Sequence, residues 1–226
     1  MDTKPDSYYQ GTRDEMLRFM PDGAATVLEI GCGEGNFGCR LKERGAREVW
    51  GVELVESVAQ RAQRVLDRVL IGDIADLTDQ LPADYFDLVV CNDVLEHMVD
   101  PFTVLARLKG KISRRGVVVS SIPNIRYYPT FHEVLVHGQW EYVESGVLDR
   151  THLRFFTKKS IRNMYERLGY EILLHEGINP MPERPAMYRL ANTILRGKLS
   201  DMQWVQFVTV ARPAAATPTP PSADQA

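Results

Sequence analysis

A glycine-rich loop between two predicted elements is the part of the chain most able to bind a ligand. The apolar stretch 25–30 is interrupted by Glu29 and leads into the run Gly31-Cys32-Gly33-Glu34-Gly35-Asn36. Glycines at a strand-to-helix turn let the backbone approach a ligand closely at the carboxyl edge of a parallel sheet. The loop therefore predicts a cofactor site, with candidate contacts at Glu29, Gly31, Gly33, Gly35 and Asn36.

The acidic residues of this loop discriminate between two kinds of cofactor. The spacing of Gly33, Gly35 and Gly38 also fits a dinucleotide-binding GxGxxG pattern. However, a carboxylate at Glu29 and another at Glu34 would repel a pyrophosphate, whereas both suit a ligand that carries an ammonium and a sulfonium group. The loop thus favours S-adenosylmethionine (SAM) over a nicotinamide dinucleotide, and a nicotinamide oxidoreductase is the alternative.

Acidic residues also end the next two predicted strands. Glu53 lies about twenty residues beyond the loop, where an acid can accept hydrogen bonds from both ribose hydroxyls. Asp73 follows the third strand and can receive the adenine amino group, while Ile74 can pack on the ring. Either acid alone can equally be a solvated strand end. The prediction therefore depends on all three strand ends, at the glycine loop, at Glu53 and at Asp73, having the residues that a SAM site needs.

Histidines are the candidate general bases, because an oxygen acceptor of high pKa needs a base that titrates near neutral pH. His97 follows the fourth predicted strand and should lie at the same sheet edge; its alternative role is to shape the pocket at a helix start. His152 lies in a dense polar segment, where Asp149 can orient it and raise its basicity. The alternative there is a structural network in which Asp149 pairs with Arg150 or Arg154.

Short apolar runs alternate with amphipathic stretches, which predicts βαβ units and a parallel sheet. Strands are expected at 25–30, 47–53, 68–71, 86–91 and 116–122. Crossover helices are expected at 36–44, 56–66 and 101–112, and the last has Asp100 as its N-cap and Pro101 at the first helical position. The fold class is therefore α/β.

The βα alternation breaks after the fifth strand. An aromatic and polar insertion is expected at about 123–157, followed by a helix that Thr157 caps and that ends near 168. Two further strands at 170–175 and 204–211 flank an amphipathic helix at about 186–195, which packs on the core or on a second subunit of a homodimer. The Ala/Pro/Thr-rich tail 213–226 is expected to be disordered.

The composition narrows the possible partners. A chain of 226 residues with 44% hydrophobic residues suits one domain, expected at 1–212. The net charge of −3 favours neither nucleic acid nor an anionic membrane as a partner. Since no apolar run is long enough to span a bilayer and the N-terminus lacks a signal-peptide core, a cytoplasmic location is expected.

The metal-ligating residue types give no clear site. Three cysteines, Cys32, Cys39 and Cys91, include no CxxC pair, which argues against a disulfide framework and a structural zinc site. Asp93, Asp100 and the histidines form no convincing ligand set. No metal is therefore expected.

Residues 27–122 resemble the class I SAM-dependent methyltransferases. The resemblance comprises the acidic glycine loop, Glu53, Gly72-Asp73 and the segment Phe86-Asp87-Leu88-Val89-Val90-Cys91-Asn92-Asp93-Val94-Leu95-Glu96-His97. It implies a Rossmann-like, seven-stranded, mostly parallel sheet with a reversed final β-hairpin, and SAM as the cofactor with S-adenosylhomocysteine as product. It also implies cofactor contacts at Leu54, Asn92 and Asp93, and Tyr8 or Tyr9 over the amino-acid end of SAM.

A narrower resemblance concerns the insertion. Ile122-Pro123-Asn124, Trp140-Glu141-Tyr142 and the run 148–157 resemble a bacterial subgroup often associated with glycosyltransferases and cell-surface polysaccharide assembly. The implied acceptor is a sugar hydroxyl, and aromatic residues would supply stacking faces for sugar rings: Tyr127, Tyr128, Phe131, Trp140 and Tyr142. The alternatives are a phenol, quinone precursor or amine as acceptor, or a non-catalytic SAM-binding partner protein.

Overall fold

A single mixed sheet forms the centre of the molecule. The computed structural model describes residue 4 and residues 9–214. Seven strands follow the order β3-β2-β1-β4-β5-β7-β6. Strands β1 to β5 pair in parallel, whereas β7 is antiparallel to both β5 and β6. The strands are β1 Thr26–Ile30, β2 Glu48–Glu53, β3 Arg68–Ile71, β4 Phe86–Asn92, β5 Ile112–Pro123, β6 Tyr170–Pro180 and β7 Trp204–Pro213. The expected seven-stranded sheet with a reversed final hairpin is confirmed.

Helices cover both faces of this sheet, so its central strands are apolar on both sides. Within β1, Leu28 and Ile30 join one buried cluster, whereas Val27 joins the cluster on the opposite face. The helices are α1 Asn36–Glu43, α2 Glu56–Ala62, α3 Ile74–Leu77, α4 Pro101–Leu108, α5 Tyr128–His132, α6 Lys158–Arg167 and α7 Ala186–Ile194. No helix among the described residues is long and apolar enough to cross a bilayer.

Two predicted helix starts have the expected caps. The carboxylate of Asp100 accepts hydrogen bonds from the backbone N–H groups of Phe102 and Thr103, and Pro101 opens α4. The Thr157 hydroxyl accepts from the backbone N–H of Ser160, whose side chain in turn accepts from the Thr157 N–H. These reciprocal bonds satisfy N–H groups that the first helical turn leaves unpaired.

Several predicted boundaries were wrong for local steric reasons. The helix expected at 101–112 ends at Leu108, and β5 begins at Ile112 because Ile112 pairs with Phe86 before a register shift. At Gly116 in that shift, a Cβ would lie 2.5 Å from the Phe86 carbonyl oxygen, so only glycine fits without movement. The sixth strand continues to Pro180, which pairs with Trp204.

The other boundary differences are smaller. The helix expected at 56–66 ends at Ala62, and turns complete that stretch. Pro213, which was expected to begin a disordered tail, is instead the last residue of β7. Positions 215–226 lie outside the described residues.

The insertion and α7 lie together at the carboxyl end of β5. Asn124 and Phe156, at the two ends of the insertion, form an isolated bridge that brings them side by side. Tyr188 of α7 is buried with Met181 and Met202, and Tyr127 and Tyr128 of the insertion pack against this cluster. The other large apolar residues of α7 and the residue after it are exposed, namely Met187, Leu190, Ile194 and Leu195.

Candidate functional site

The glycine loop has the backbone geometry that its sequence requires. Gly31, Gly33 and Gly35 all have positive φ, at 69°, 54° and 86°, a region that side chains with a Cβ rarely enter. A Cβ on Gly33 would lie 2.8 Å from the carbonyl oxygen of Tyr9. That same oxygen accepts a hydrogen bond from the Glu34 N–H at 3.3 Å. The N-terminal segment therefore crosses directly over the loop.

The Glu53 carboxylate lies beside the loop and is nearly buried. Its Oε2 accepts from the Gly33 N–H at 3.0 Å, and its Oε1 accepts from the Val55 N–H at 2.9 Å. A carboxylate has about four acceptor positions, so each oxygen can accept a further bond. Glu53 is therefore held in place by the backbone and still able to bind two hydroxyl groups.

Glu29 lies beneath the first turn of α1, where only 3% of its surface is exposed. A Cβ on Gly38 would lie 3.2 Å from its Oε2. Burial raises the pKa of Glu29 to about 8; the Gly38 N–H lowers this pKa and the Glu53 carboxylate raises it further. The structure thus places Glu29 behind the loop, next to the helix start.

The residues expected near the adenine ring differ in their exposure. Asp73 caps α3 by accepting from the Ala75 N–H at 2.8 Å. Ile74 is 4% exposed and belongs to the core cluster, so its side chain packs inward. Leu54 is 49% exposed at the same sheet edge. Of the two apolar candidates, Leu54 presents the larger free surface to a ring.

The end of β4 carries a buried amide without a partner. Both the nitrogen and the oxygen of the Asn92 side chain are buried and have no hydrogen-bond partner among the described residues. Such groups are costly unless a ligand or water satisfies them. Asn92 is therefore a residue at this edge whose polar atoms a bound ligand or water would satisfy.

Asp93 follows with positive φ, at 50°, and is bound from three directions. The Arg13 guanidinium pairs with Oδ2, and the Ser121 hydroxyl and Gln206 amide each donate to Oδ1 at 2.8 Å. Asn36 makes a further link to the N-terminal segment, since its amide donates to the Gln10 carbonyl at 3.2 Å. The three contacts of Asp93 with Arg13, Ser121 and Gln206 make it a fixed, partly neutralised carboxylate at the sheet edge.

The two candidate histidines are in contact. The rings of His97 and His152 have centroids 4.6 Å apart in an edge-to-face arrangement. Burial, together with the neighbouring His152, lowers the pKa of His97 below its usual value. Burial likewise lowers the pKa of His152. His97 follows β4, and His152 Nε2 lies 3.9 Å from Glu96 Oε1, so the insertion brings His152 to the same edge of the sheet.

Asp149 contacts His97 indirectly and does not orient His152 as expected. The Thr151 hydroxyl donates to Asp149 at 2.7 Å and lies 3.1 Å from His97 Nδ1. In contrast, His152 Nδ1 faces the Val147 carbonyl oxygen at 3.1 Å. The expected orientation of His152 by Asp149 was wrong because the tight turn at 149–152 directs the carboxylate towards Thr151, but the Asp149 charge does raise the pKa of His152 against the larger opposing effect of burial.

The alternative pairing of Asp149 with an arginine was also wrong. Lys4 donates to both carboxylate oxygens of Asp149, at 2.7 and 2.6 Å. Arg150 instead pairs with Glu144, and Arg154 donates to the Val99 carbonyl. Burial alone would raise the pKa of Asp149, but the hydrogen bonds from Lys4 and Thr151 lower it below its usual value.

Comparison with known proteins assigns the family. A family model described as a methyltransferase domain matches residues 7–175. The chain belongs to this family. The resemblance seen in the glycine loop and at the end of β4 is confirmed at that level.

Individual members of the methyltransferase-domain family cover different parts of the chain. An uncharacterized methyltransferase of Mycobacterium bovis is 36% identical over 126 residues, which are 53% of this chain and 61% of that protein. A ubiquinone biosynthesis O-methyltransferase of Aeromonas salmonicida is 26% identical over 80% of this chain and 75% of its own length. The chain thus spans about three fifths of the M. bovis relative.

Solved structures show the same fold. A SAM-dependent methyltransferase from Archaeoglobus fulgidus has a TM-score of 0.69 at 20% identity, over 92% of this chain and 94% of that chain. A SAM-dependent methyltransferase from Mesorhizobium loti has a TM-score of 0.62 at 20% identity, over 89% and 98%. The strand order with its reversed β7 is therefore that of a methyltransferase fold.

Several residues of the site were not among the sequence-based candidates. Lys4, Arg13 and Gln206 reach the edge from distant parts of the chain. Glu96 and Thr151 are each adjacent in sequence to a candidate histidine. For Gln206, a polar residue in an apolar strand was the available signal. Lys4 and Arg13 carry no local signal, because exposed basic residues are common near any N-terminus.

Proposed function

We propose that this protein transfers the methyl group of SAM to an acceptor hydroxyl. The observation that carries the proposal is the joint position of the glycine loop, the Glu53 carboxylate and the unpartnered Asn92 amide at one sheet edge. Solved structures with the same fold are named SAM-dependent methyltransferases. Adjacent β-strands end at this edge, as cofactor sites in open α/β sheets require.

In this proposal the cofactor lies along the ends of β1, β2 and β3. Glu53 would accept hydrogen bonds from the ribose hydroxyls, while Leu54 and Asp73 would flank the adenine. Tyr9 lies over the amino-acid end of SAM, since its backbone already covers the loop at Gly33. The end of β4, with Asn92 and the histidine pair beyond it, would then be the side at which the methyl group is transferred.

The acceptor would be a sugar hydroxyl of a bacterial polysaccharide or glycoconjugate. A series of aromatic rings leads outward from the histidines. The distances between ring centroids are 6.3 Å from His152 to Phe155, 5.4 Å from Phe155 to Trp140, and 6.4 Å from Trp140 to Tyr142. Trp140 and Tyr142 are exposed and so present faces on which a sugar ring can stack. Tyr127 and Tyr128, in contrast, pack on the α7 side.

Methyl transfer requires the acceptor oxygen, the methyl carbon and the sulfur to be in line. The oxygen forms a bond to the methyl carbon as the carbon–sulfur bond breaks, and S-adenosylhomocysteine leaves as a neutral thioether. We assign the hydroxyl proton to a histidine of the His97–His152 pair. His97 is positioned for this step by Thr151 and, through it, by Asp149.

Calorimetric titration with SAM and S-adenosylhomocysteine, with NADH as the control, tests the cofactor assignment. Micromolar binding of both adenosyl ligands and none of NADH is expected. Transfer of a labelled methyl group to a panel of glycosides then tests the acceptor. Binding of NADH in place of SAM would contradict the proposal at its first step.

A small phenolic acceptor is the second candidate, because relatives of this chain are named ubiquinone biosynthesis O-methyltransferases. Catechols assayed beside the glycosides separate the two candidates. If only catechols are methylated, the aromatic rings of the insertion would be assigned to binding a phenol instead of a sugar. SAM binding without transfer to either class would instead favour a non-catalytic SAM-binding protein.

A further inference from the structure

Three side chains with metal-binding atoms meet beneath the insertion. Glu96, His97 and His152 each place one potential ligand atom within 4.8 Å of the others. Glu96 is 1% exposed and His152 is 8% exposed. Two histidines and a carboxylate are a common ligand set for first-row divalent cations.

The carboxylate of Glu96 is almost completely buried. Neither of its oxygens has a hydrogen-bond partner within the described part of the chain. Its Oε1 lies 3.9 Å from His152 Nε2, which is too far for a hydrogen bond. Meanwhile its backbone carbonyl accepts from the N–H groups of Leu153 and Arg154, both at 2.9 Å, which fixes the residue in place. A buried carboxyl held in this way needs a proton or a cation.

The contacts of the two imidazole rings assign the same tautomer to both histidines. His97 Nδ1 lies 3.2 Å from the Thr151 carbonyl oxygen, and His152 Nδ1 lies 3.1 Å from that of Val147. Because a carbonyl oxygen only accepts, each contact assigns the proton of the neutral ring to Nδ1 and the lone pair to Nε2. Metal-binding histidines show this arrangement, with the second ring nitrogen donating to a carbonyl or carboxylate.

We propose that Glu96, His97 and His152 bind a divalent transition-metal ion, with Zn²⁺ as the best match to this ligand set. Bonds of about 2.0–2.1 Å would bring the ligand atoms to about 3.3–3.5 Å from one another. The Glu96–His152 separation of 3.9 Å is close to that value. Imidazole ligands favour zinc, iron or cobalt over magnesium. Three protein ligands leave at least one position open for an oxygen of a ligand.

The cation has a consequence for the reaction, and this consequence depends on the proposed function. An acceptor hydroxyl on the open position would have a lowered pKa and would release its proton to water. In the metal-free site the histidine pair takes the hydroxyl proton, as proposed above, whereas with the cation bound the cation would activate the hydroxyl in place of that base. The binding site itself does not depend on the identity of the acceptor.

Metal binding by the full chain tests the proposal. The protein is treated with EDTA, dialysed and titrated with Zn²⁺ by calorimetry and with Co²⁺ by visible absorption. One ion per chain is expected, with d–d bands typical of a four- or five-coordinate cobalt site. Glu96→Gln and His152→Ala should each weaken binding by at least about tenfold.

The second histidine group of the insertion supplies a matched control. His132, Glu133 and His137 also place ligand atoms within 4.8 Å of one another, but His137 is exposed. His137→Ala should leave both the stoichiometry and the cobalt spectrum unchanged. SAM binding by every variant, measured in parallel, reports whether the fold and the cofactor site are intact.

Three results would overturn the proposal: no Zn²⁺ or Co²⁺ binding by the wild-type protein, unchanged binding by Glu96→Gln, or loss of the bound ion with His137→Ala. Full methyl transfer by EDTA-treated, metal-free protein would remove the cation from the reaction while leaving the proposed function in place. If the wild-type protein binds the metal ion but does not bind SAM, the proposed function alone would be contradicted.

Discussion

The cofactor edge and the acceptor side of this molecule are constructed in different ways. At the cofactor edge, Glu53 lies at a strand end and is held by the neighbouring backbone N–H groups of Gly33 and Val55. On the acceptor side, Asp149 is held by a charged group from a remote segment, Lys4. The first region depends on local backbone geometry, the second on a long-range charge pair, so substitutions should affect them differently.

The largest effect on free energy is expected at Glu29, because burial of its carboxyl behind the glycine loop has a cost in stability. With a folded-state pKa of about 8, Glu29 keeps its proton in the folded protein while the unfolded chain loses it from about pH 4.5 upwards. The unfolded state then binds fewer protons, so stability falls as pH rises from about 4.5 to 8, by about 3–5 kcal/mol. Urea unfolding of wild type and Glu29→Gln at pH 5, 6.5 and 8 measures this.

The Glu29→Gln variant should gain stability relative to wild type across that pH range, with the smallest difference at pH 5. A constant difference at all three pH values would show that the buried carboxyl does not titrate in this range. Burial of Glu29 would then have no pH-dependent cost in stability.

Glu53→Ala tests the dependence of the cofactor edge on a single backbone-held carboxylate. We expect SAM affinity to fall by at least about a hundredfold, since charged hydrogen bonds contribute about 1.5–3 kcal/mol each and two ribose hydroxyls lose their acceptor. Calorimetry measures the affinity. Glu56→Ala, an exposed acid three residues further on, is the control that should bind SAM as wild type does.

Asp149→Asn tests whether the acceptor side can be damaged alone. The substitution weakens the pairing with Lys4 and the hydrogen bond from Thr151 that positions His97. We expect kcat to fall by about tenfold to a hundredfold with no change in SAM affinity. Glu144→Gln, an exposed acid of the same segment, serves as the control. An equal loss of SAM affinity would erase the distinction between the two regions.

The smallest effect is expected at Trp140, which lies at the outer end of the aromatic series. Removing its ring in Trp140→Ala should raise KM for the acceptor by about three- to tenfold, because a stacked ring contributes about 0.5–1.5 kcal/mol. The value of kcat should be unchanged. Steady-state kinetics beside Leu135→Ala, another exposed residue of the insertion, tests this. A lower kcat with constant KM would assign the ring to the reacting centre.

The difference between the regions also explains what the sequence could predict. Alternating apolar runs and strand-end acids are local signals, and they predicted the sheet, the Thr157 cap and the place of Glu53. The partners of Asp149 could not be predicted in the same way, because Lys4 is separated from it by 145 residues. Likewise, the tautomer of His152 depends on which carbonyl its ring meets after folding.

One feature of the N-terminal segment bears on product release. The Tyr9 carbonyl accepts from the Glu34 N–H at the glycine loop, and Arg13, four residues further on, pairs with Asp93 at the end of β4. In the proposed function, residues 9–13 therefore contact both ends of the cofactor site. We expect release of S-adenosylhomocysteine past Tyr9 to disturb the Arg13–Asp93 pair as well.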